Sequence, residues 1–499
     1  MKNLAVTIIP QGVIYQNTGE QRLTVLLLVP FYSFYEKYET RRAGCPLGLE
    51  YLAAELVPLG FNVIFIDACL SAYDQLTPQT DGTIRYGLTG EQLRQVLKQF
   101  QPDLVGITNL FSNQAKNVLA TAQIVREMYP QTVITEGGGH ATGAVEEVLR
   151  DGPVDIVIRG EGIKQFVSLC QALEAKEDYR NVSGLSYLDG NGTIKHNPDQ
   201  PFLKNLDELS PRRLEIPSHP MYDTNFHTGG SRKLKRGRHI YVMTGFGCAL
   251  HCEFCLSDLM TGDRTRFFSL AYLEREFIRY KAAGFTEIII EDDQFLADIR
   301  RAMDIAALLQ KHRLYWFEEG GISLFKLMRP GPGLSYKQII DCFAQSYCYR
   351  FYLAIESANP ESLSRSKKPA INADTDYAAE IVSYIKAQGI EAVGGFMIGF
   401  KIPSYEESLA DIERTIAYAK KLRAAGLAYV MLFIYTALPG TPVFDYLKPY
   451  LTGYSSHERA AFPVAGLTTD ELTEKRLVWL GEINGKSQEL AKEKRNWGL

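Results

Sequence analysis

Three cysteines at CxxxCxxC spacing, Cys248, Cys252 and Cys255, constrain this chain more than any other feature of its sequence. They follow an apolar run, 239–247, that is typical of a β-strand leading into a loop. Three thiolates can bind three irons of a [4Fe–4S] cluster, whereas an electron-transfer ferredoxin normally supplies four cysteines. The fourth iron is then open to a small chelating ligand, such as the amine and carboxylate of S-adenosylmethionine. Phe254 offers a ring face on which an adenine could stack.

Two other interpretations of these cysteines stay open. A zinc ion could be bound by the three cysteines and His251 in a closed tetrahedral site. Eight cysteines in 499 residues can also cluster by chance. The iron–sulfur cluster is favoured because the motif follows a strand and opens a series of βα units. The other cysteines, at 45, 69, 170, 342 and 348, are scattered and indicate no disulfide framework, so we expect a reduced, cytoplasmic protein.

The first part of the chain alternates strand-like and helix-like segments from residue 22 onward. The pattern predicts strands at 22–30, 62–67, 103–108, 132–136 and 155–159, with helices at 46–56, 91–100 and 115–128 between them. Continuous apolar runs are typical of parallel strands that are buried on both faces. The alternation predicts an α/β fold with a doubly wound, Rossmann-like parallel sheet, which binds ligands at the C-terminal ends of its strands.

Small and polar residues follow these predicted strands and form a candidate ligand-binding edge. They are Asp67, Thr108, Asn109, Ser112, Gly137, Gly138, Gly139, His140 and Glu161. A triple glycine permits close approach of the backbone to a ligand. A nucleotide-binding sheet is the alternative, but no GxGxxG opens the first helix, so NAD is not expected. A lone loop histidine such as His140 is more often a hydrogen-bonding or surface group than a metal ligand.

Beyond the cysteines the alternation continues and predicts a second α/β unit. Strands are predicted at 287–290, 314–317, 351–355, 395–398 and 429–434, with helices at 270–283 and 375–388 among the segments between them. With the strand before the cysteines they make six βα units, a partial (β/α)6 barrel of the TIM type. Polar residues again follow the strands, at 291–293, 318–319, 356–357 and 435–436. Such barrels carry their chemistry at that face, although any one of these carboxylates could equally be a solvated charge.

We therefore divide the chain into a sheet domain at 1–175, a connection at 176–230, a barrel at 231–442 and a helical C-terminal region at 443–499. The connection carries a predicted β-hairpin at 184–196 on an Asn-Gly turn, followed by an irregular linker. In the C-terminal region, 468–471 offers a capping box before the helix that carries Trp479. That tail could cover the barrel mouth or only pack against the barrel.

The composition is ordinary for a globular protein and points to no special class of partner. The net charge of −4 gives no push toward nucleic acid or an anionic membrane. No apolar run approaches the roughly 20 residues that cross a bilayer, and the N-terminus is too short and proline-broken for a convincing signal peptide. The basic run 232–239 is either a solvated face or a docking surface for an acidic flavodoxin or ferredoxin, because a cluster must receive an electron from outside.

At the cysteine motif the sequence resembles the radical S-adenosylmethionine superfamily, whose signature is CxxxCxxC with an aromatic residue before the last cysteine. The first part, roughly 22–175, is similar to the cobalamin-binding domain of one branch of that superfamily. This second similarity lies in 46–54, 65–68, 137–142 and 157–162. It implies that the residues of the candidate edge, from Asp67 to Glu161, bind cobalamin.

The resemblance also assigns residues of the barrel. It implies an S-adenosylmethionine site at Phe254, Glu291, Asp292, Asp293, Glu356, Ser357, Met397 and Gly399, and 439–442 resembles the sixth-strand end of the family. Glu318, Tyr435 and Thr436 are the candidates for the substrate side. The GGE triplet of many members is not at the second strand, so the contact to the methionyl amine is left open.

One departure from the family concerns the cobalt ligand. Many cobalamin-binding domains place a histidine shortly after the second strand, whereas Asp67 is followed here by Ala68, Cys69 and Leu70. The resemblance then implies cobalamin with neither its own base nor a protein histidine on cobalt.

The implied function is methylation of an unactivated carbon in a small molecule, such as a natural product, lipid or tetrapyrrole, by a 5′-deoxyadenosyl radical and methylcobalamin. Two alternatives stay open. A cyclase or rearrangement enzyme would use the same cofactors without methyl transfer, and a cobalamin-binding sensor would have no use for an open-iron cluster. Substrate identity is a property of pocket shape and is not carried by the resemblance.

Overall fold

The computed structural model describes residues 4–20, 22–35, 41, 44, 46–222, 237–450, 464 and 466–484. Its first part contains the strands β1 (Leu4–Ile9), β2 (Gly12–Asn17), β3 (Thr24–Val29), β4 (Tyr32–Tyr35), β5 (Asn62–Asp67), β6 (Leu76–Pro78), β7 (Thr83–Tyr86), β8 (Leu104–Thr108), β9 (Val133–Gly137), β10 (Ile156–Ile158), β11 (Leu185–Leu188) and β12 (Ile194–His196). The helices of this part are α1 (Leu47–Leu56), α2 (Gly90–Leu97), α3 (Ala115–Met128), α4 (Gly139–Gly143), α5 (Val145–Asp151) and α6 (Ile163–Ala175).

The first sheet has the order β1-β2-β5-β3-β8-β9-β10-β11-β12. Its five central strands are parallel, and they coincide with the five predicted strands. Their side chains are buried on both faces, where they form two separate apolar clusters with the helices. The predicted doubly wound parallel sheet is confirmed for this central part.

Two antiparallel hairpins extend the parallel strands, one at each edge. The hairpin β1–β2 pairs with β5 and was not predicted, because β1 is exposed on both faces and shows no alternation of apolar and polar residues. The hairpin β11–β12, predicted on its Asn-Gly turn, pairs with β10. The segment that we placed in the connection therefore completes the first sheet, and the predicted boundary at residue 175 stays a prediction.

A small antiparallel sheet of order β4-β7-β6 was not predicted either. It is built from the segments that follow β3 and β5, so it lies at the C-terminal edge of the main sheet. Gln114, just before α3, binds it through a pair of hydrogen bonds of 2.9 Å to the backbone of Ser33. Short strands of mixed composition such as Leu76–Pro78 carry little periodic signal in the sequence.

The second part of the chain forms the barrel. Its strands are β13 (His239–Val242), β14 (Gly245–Phe246), β15 (Arg266–Phe267), β16 (Glu287–Ile290), β17 (Tyr315–Ser323), β18 (Cys348–Glu356), β19 (Glu391–Ile398), β20 (Lys401–Ile402), β21 (Tyr405–Glu406) and β22 (Tyr429–Ile434). Its helices are α7 (Ser257–Met260), α8 (Leu270–Ala282), α9 (Ile299–Lys311), α10 (Leu324–Met328), α11 (Tyr336–Gln345), α12 (Pro360–Arg365), α13 (Thr375–Ala387), α14 (Leu409–Ala425), α15 (Pro442–Leu447) and α16 (Thr469–Asn484).

Six strands of the barrel pair in the order β13-β16-β17-β18-β19-β22, and every pairing is parallel. The helices between them pack on the outside and share one large apolar cluster with the strands. The predicted partial (β/α)6 barrel is confirmed, and each predicted strand of this part overlaps an observed one.

The described part of the C-terminal tail covers the edge of β22. The Asn484 side chain accepts a hydrogen bond from Val430 N at 3.0 Å and donates one to Val430 O at 3.1 Å, as a neighbouring strand would. Thr468 and Glu471 form the predicted capping box at the start of α16. For these residues packing against the barrel is the observed role, and an edge that could recruit another strand is covered.

None of the described helices is long and apolar enough to span a bilayer. The basic residues 232–236, which we considered as a docking surface, lie outside the described part of the chain.

Candidate functional site

The backbone conformation at the start of the cysteine loop requires a glycine at position 247. Gly247 has φ +89°, and a Cβ built on it would lie 2.3 Å from the carbonyl oxygen of Arg264. The next residue, Cys248, is buried, Cys252 is half-buried and Cys255 is exposed. The strand β13 thus delivers the three cysteines into one tight loop at the C-terminal end of the barrel.

Asp293 holds this loop in shape. Its carboxylate accepts hydrogen bonds from Gly247 N at 2.8 Å, from Ser257 Oγ at 2.5 Å and from Thr261 Oγ1 at 2.7 Å. Its neighbour Asp292 is buried and accepts hydrogen bonds from both the backbone and the hydroxyl of Thr244. We predicted both aspartates as ligands of S-adenosylmethionine, but these contacts favour a role in positioning the loop.

Three thiols in one loop are the donor set of a [4Fe–4S] cluster whose fourth iron stays open. Among the described residues, no three His, Cys, Asp or Glu side chains converge as one metal ion would require. A [4Fe–4S] cluster binds each thiolate to a different iron, so its ligands do not need to converge. His251, the fourth ligand in the alternative zinc interpretation, places its Nδ1 2.7 Å from Asp258 Oδ2.

A lysine that sequence reasoning missed lies beside the cysteines. Burial raises the pKa of the Cys248 and Cys252 thiols, to about 12 for Cys252, and the positive charge of Lys368 lowers the pKa of all three cysteine thiols. Lys368 Nζ lies 2.9 Å from Glu356 Oε1, and both side chains are largely buried. Lys367-Lys368-Pro369 carries no periodic or motif signal that would have marked it.

Aromatic and apolar residues gather next to Phe254. The Phe254 ring meets Tyr435 edge to face with 5.7 Å between centroids, and Met397 belongs to the same apolar cluster. Gly399 directly follows β19 with φ +81° and donates its N–H to Glu407 Oε2 at 2.6 Å. The structure therefore brings together two residues that we predicted to bind S-adenosylmethionine, Phe254 and Met397.

Glu407 is a second residue that the sequence analysis missed. It is fully buried, and burial raises its pKa to about 7. Its carboxylate also accepts a hydrogen bond from Phe400 N at 3.2 Å and one from Ser362 Oγ at 3.1 Å. The residue fixes the turn after β19 through these hydrogen bonds.

Of the other predicted barrel residues, some are fully buried and some are half-buried. Glu318 and Ser357 are fully buried, where Glu318 accepts the N–H of Gly321 at 2.6 Å and Ser357 Oγ lies 3.1 Å from Thr415 Oγ1. These contacts favour support of the strand ends over contact with a ligand. Glu291 and Thr436, by contrast, are only half-buried at the barrel mouth.

On the first sheet, Asp67 is a turn residue. It is buried, and its carboxylate accepts hydrogen bonds from Leu70 N at 2.7 Å and from Tyr222 Oη at 2.9 Å. Burial raises its pKa to about 6. We predicted Asp67 as a cobalamin ligand, whereas its contacts join the turn after β5 to the linker.

Asn109 and Glu136 form a buried pair at the ends of β8 and β9. Asn109 Nδ2 donates to Glu136 Oε2 at 2.7 Å, and burial raises the pKa of Glu136 to about 7. Asn109 Oδ1 is buried and has no hydrogen-bond partner among the described residues. Asn109 was predicted as part of this edge, and Glu136 was not.

The glycine turn after β9 packs tightly, but mostly against protein. Gly138 has φ +116°, and a Cβ on it would lie 2.7 Å from the carbonyl oxygen of Asn109. At the end of α4, a Cβ on Gly143 would lie 1.9 Å from the carbonyl oxygen of Pro439 in the barrel. We expected the triple glycine 137–139 to admit a ligand, and at Gly138 the close approach is to protein backbone. At Gly143, which was not predicted, the close approach is between the two domains.

His140 is buried and places its Nδ1 3.0 Å from Ser112 Oγ. It therefore acts as a hydrogen-bonding group that connects the glycine turn to the segment before α3. The nearby Leu110 and Phe111 are 49% and 46% exposed, which is unusual for large apolar side chains beside a packed turn. Exposed apolar residues next to this glycine turn suit the flat face of a corrin ring.

Glu161, a predicted cobalamin ligand, makes its contacts across the domain boundary. Its Oε2 lies 3.3 Å from Arg266 Nη1 in the barrel and accepts a hydrogen bond from Leu203 N at 3.1 Å. Arg266 also donates to the carbonyl oxygen of Thr261 at 2.5 Å, directly behind the cysteine loop. These contacts favour a role for Glu161 in joining the domains.

A second buried ion pair joins the domains on the other side. Glu50 on α1 binds Arg212 of the linker, with Arg212 Nε 3.0 Å from Glu50 Oε2, and Arg212 also donates to the carbonyl oxygen of Tyr241 in β13. The C-terminal edge of the first sheet and that of the barrel consequently face each other, with α4 packed on α7.

Both parts of the chain match known families. Residues 41–169 match the B12 binding domain family, and residues 242–417 match the radical SAM superfamily. The chain is 28% identical to an uncharacterised methyltransferase of Pyrococcus horikoshii, over 85% of this chain and 83% of that protein. It is 26% identical to cytidylyl-2-hydroxyethylphosphonate methyltransferase of Streptomyces wedmorensis, over 84% of this chain and 80% of that protein.

Among solved structures, the chain is similar in fold to the radical S-adenosylmethionine methyltransferase TsrM of Kitasatospora setae, determined with cobalamin and a [4Fe–4S] cluster bound. The TM-score is 0.63 at 16% identity, covering 87% of this chain and 76% of that one. The shared fold includes both the sheet domain and the barrel.

Proposed function

We propose, from the premise that the chain belongs to the cobalamin-dependent branch of the radical S-adenosylmethionine superfamily, that it is a C-methyltransferase acting on an unactivated carbon of a small molecule. Its cofactors are cobalamin, a [4Fe–4S] cluster and S-adenosylmethionine. When bound, they supply a 5′-deoxyadenosyl radical that takes a hydrogen atom and a methyl group that replaces it. Overall, one C–H bond, two S-adenosylmethionine and two electrons give one C–CH3 bond, S-adenosylhomocysteine, 5′-deoxyadenosine and methionine.

The observation that carries the proposal is the contact between the glycine turn and the cysteine loop. A Cβ built on Gly139 would lie 3.6 Å from Leu256 Cδ1, and Leu256 directly follows Cys255. Two reactive centres must both reach the same substrate carbon, so their binding edges must face each other closely. A sensor would need no such juxtaposition. The relatives named as methyltransferases support the same function.

In this proposal the described residues hold and orient the cofactors. Cys248, Cys252 and Cys255 bind the cluster. Phe254, Glu291, Glu356, Met397 and Gly399 would contact S-adenosylmethionine, and Asp292, Asp293 and Ser357 would support them through their protein contacts. Thr108, Ser112 and the turn 137–140 would contact cobalamin, with Asp67, Asn109 and Glu161 as supports.

The substrate would lie between the two edges, near Tyr435 and Thr436. Phe400, Tyr435 and Phe444 enclose the Phe254 side of the barrel mouth in apolar surface. Such a surface excludes water, which protects a reactive carbon radical from quenching. The external electron donor, a flavodoxin or ferredoxin, and the cytoplasmic location remain part of the proposal.

The test uses anaerobically reconstituted protein, methyl-deuterated S-adenosylmethionine and candidate substrates drawn from the products of neighbouring genes. We expect a labelled methyl group in the product, with one S-adenosylhomocysteine and one 5′-deoxyadenosine for each product. Replacing all three cysteines by alanine should abolish absorbance near 400 nm and all product. Product that forms with 5′-deoxyadenosine but without label would instead support the cyclase or rearrangement alternative.

A further inference from the structure

The turn after α12, residues 366–368, packs against the outside of the cysteine loop. Glu253, which lies between Cys252 and Cys255, donates its N–H to the carbonyl oxygen of Ser366 at 3.3 Å. Its side chain binds the next residue, with Lys367 Nζ 2.6 Å from Glu253 Oε1. Two contacts to the same loop residue fix the turn against the cysteines.

The turn presents two consecutive lysines in different environments. The Lys367 side chain is 56% exposed, whereas the Lys368 side chain is 8% exposed and pairs with Glu356, which is 12% exposed. Removing such a pair from water costs several kcal/mol per ion, which the attraction between the charges does not always offset. A buried pair beside a cofactor loop is therefore weak evidence for stability and better evidence for function.

The backbone around this pair is strained. Three non-glycine residues here adopt left-handed conformations, with φ +50° at His251, +72° at Glu356 and +61° at Lys367. Such conformations are unfavourable for residues that carry a Cβ, and this strain collects at functional sites. At Glu356 the conformation ends β18 and accompanies the contact of the carboxylate with Lys368.

We propose that Lys368 raises the reduction potential of the cluster and that Glu356 opposes it, so that this buried pair sets how readily the cluster accepts an electron. The inference rests on the proposed function in that a [4Fe–4S] cluster must be bound. The step is the transfer of one electron from a one-electron reductant to the cluster, and no bond or proton changes place.

The physical reason is charge. Reduction adds one negative charge to the cluster, and the potentials of such clusters depend on net charge, hydrogen bonds and exposure. A buried cation acts through a medium of low effective dielectric, where its charge is weakly screened. The positive charge of Lys368 interacts electrostatically with all three cysteine side chains. The ion pair with Glu356 and the contacts of the turn 366–368 hold Lys368 in that position.

The test is a potentiometric titration of the full chain with reconstituted cluster, followed by paramagnetic resonance, without S-adenosylmethionine. Iron and sulfide are counted for every variant. Lys368→Met should shift the potential to a more negative value, and the isosteric Glu356→Gln should shift it to a more positive value. Lys368→Arg keeps the charge and should stay near wild type. Lys367→Met is the matched control, and its shift should be small because water screens that charge.

The outcomes separate this inference from the proposed function. Equal potentials in fully loaded wild type, Lys368→Met and Glu356→Gln would overturn it. A shift in Lys367→Met as large as that in Lys368→Met would overturn it too, because burial would then not matter. If Lys368→Met cannot hold a cluster, the sign of the shift in Glu356→Gln decides. Wild-type protein that takes up no [4Fe–4S] cluster would contradict the proposed function itself.

Discussion

Glu161 and Arg266 meet across the domain boundary, with 3.3 Å between Glu161 Oε2 and Arg266 Nη1, and their side chains are 7% and 13% exposed. The pair connects the end of the first sheet to the segment behind the cysteine loop, because Arg266 also binds Thr261 O and Thr261 binds Asp293. This contact between the domains therefore helps to set the distance between the C-terminal edge of the first sheet and the C-terminal edge of the barrel.

Glu161→Gln should lower the free energy of unfolding by about 3 kcal/mol, since it leaves a buried guanidinium without its counter-charge. Urea unfolding followed by fluorescence measures the change. The control is Glu146→Gln, which breaks an exposed pair with Arg150 and should cost about 0.5 kcal/mol or less. Equal losses in the two variants would contradict a special role for the contact across the boundary.

Gly143→Ala should push the domains apart, because the new Cβ would overlap the carbonyl oxygen of Pro439 at 1.9 Å. We expect a loss of about 3 kcal/mol in stability, the upper part of the range for overpacked sites. Gly48→Ala is the matched control, since a Cβ there meets nothing within 4 Å and α1 gains up to about 1 kcal/mol of helix propensity. Thermal unfolding compares them, and a Gly143→Ala protein as stable as wild type would show that the domains separate freely.

Because of Glu136, the free energy of unfolding should fall as the pH rises. Burial raises its pKa from 4.5 to about 7, so its contribution is fully present below pH 4.5 and is lost as the pH rises through about 7. The loss is about 3 kcal/mol over that window. Relative to wild type, Glu136→Gln should therefore gain stability between pH 4.5 and 7. A difference that stays constant with pH, measured by urea unfolding at each pH, would speak against this assignment.

The cob(II)alamin form of the protein should show no nitrogen superhyperfine splitting from an axial ligand in paramagnetic resonance. His140 is buried with its Nδ1 against Ser112, and the segment after Asp67 supplies no histidine. The spectrum of His140→Ala should be the same as that of wild type. A nitrogen triplet that disappears in the variant would show that His140 binds cobalt.

Much of the fold follows from the sequence because its strongest signals are local. Runs such as Thr24–Val29 and Glu287–Ile290 are apolar throughout, as buried parallel strands require, and turn residues separate them. The cysteine spacing is likewise local, and the three cysteines lie in one loop after β13. The exposed β1 and the short strands of the small sheet lack such a signal, and they were not predicted.

The partners of the charged residues were decided only by the tertiary structure. Asp67, Glu161, Asp292 and Asp293 follow strands, and their sequence positions predict ligand contact. In the structure their oxygens accept hydrogen bonds from Tyr222, Leu203, Thr244 and Thr261. These donors come from other segments, and a buried carboxylate must find donors wherever the fold supplies them.

The sequence by itself determined which chemistry the chain carries, because the cysteine spacing and the two series of βα units are properties of continuous segments. Tertiary structure alone decided how the two edges face each other and which cation lies beside the cysteines. Lys368 is more than a hundred residues from Cys252 in the sequence, and only the contact of the turn after α12 with the cysteine loop places its charge there. Electrostatic effects depend on the distance between charges and on their burial, and neither quantity can be read from the sequence alone.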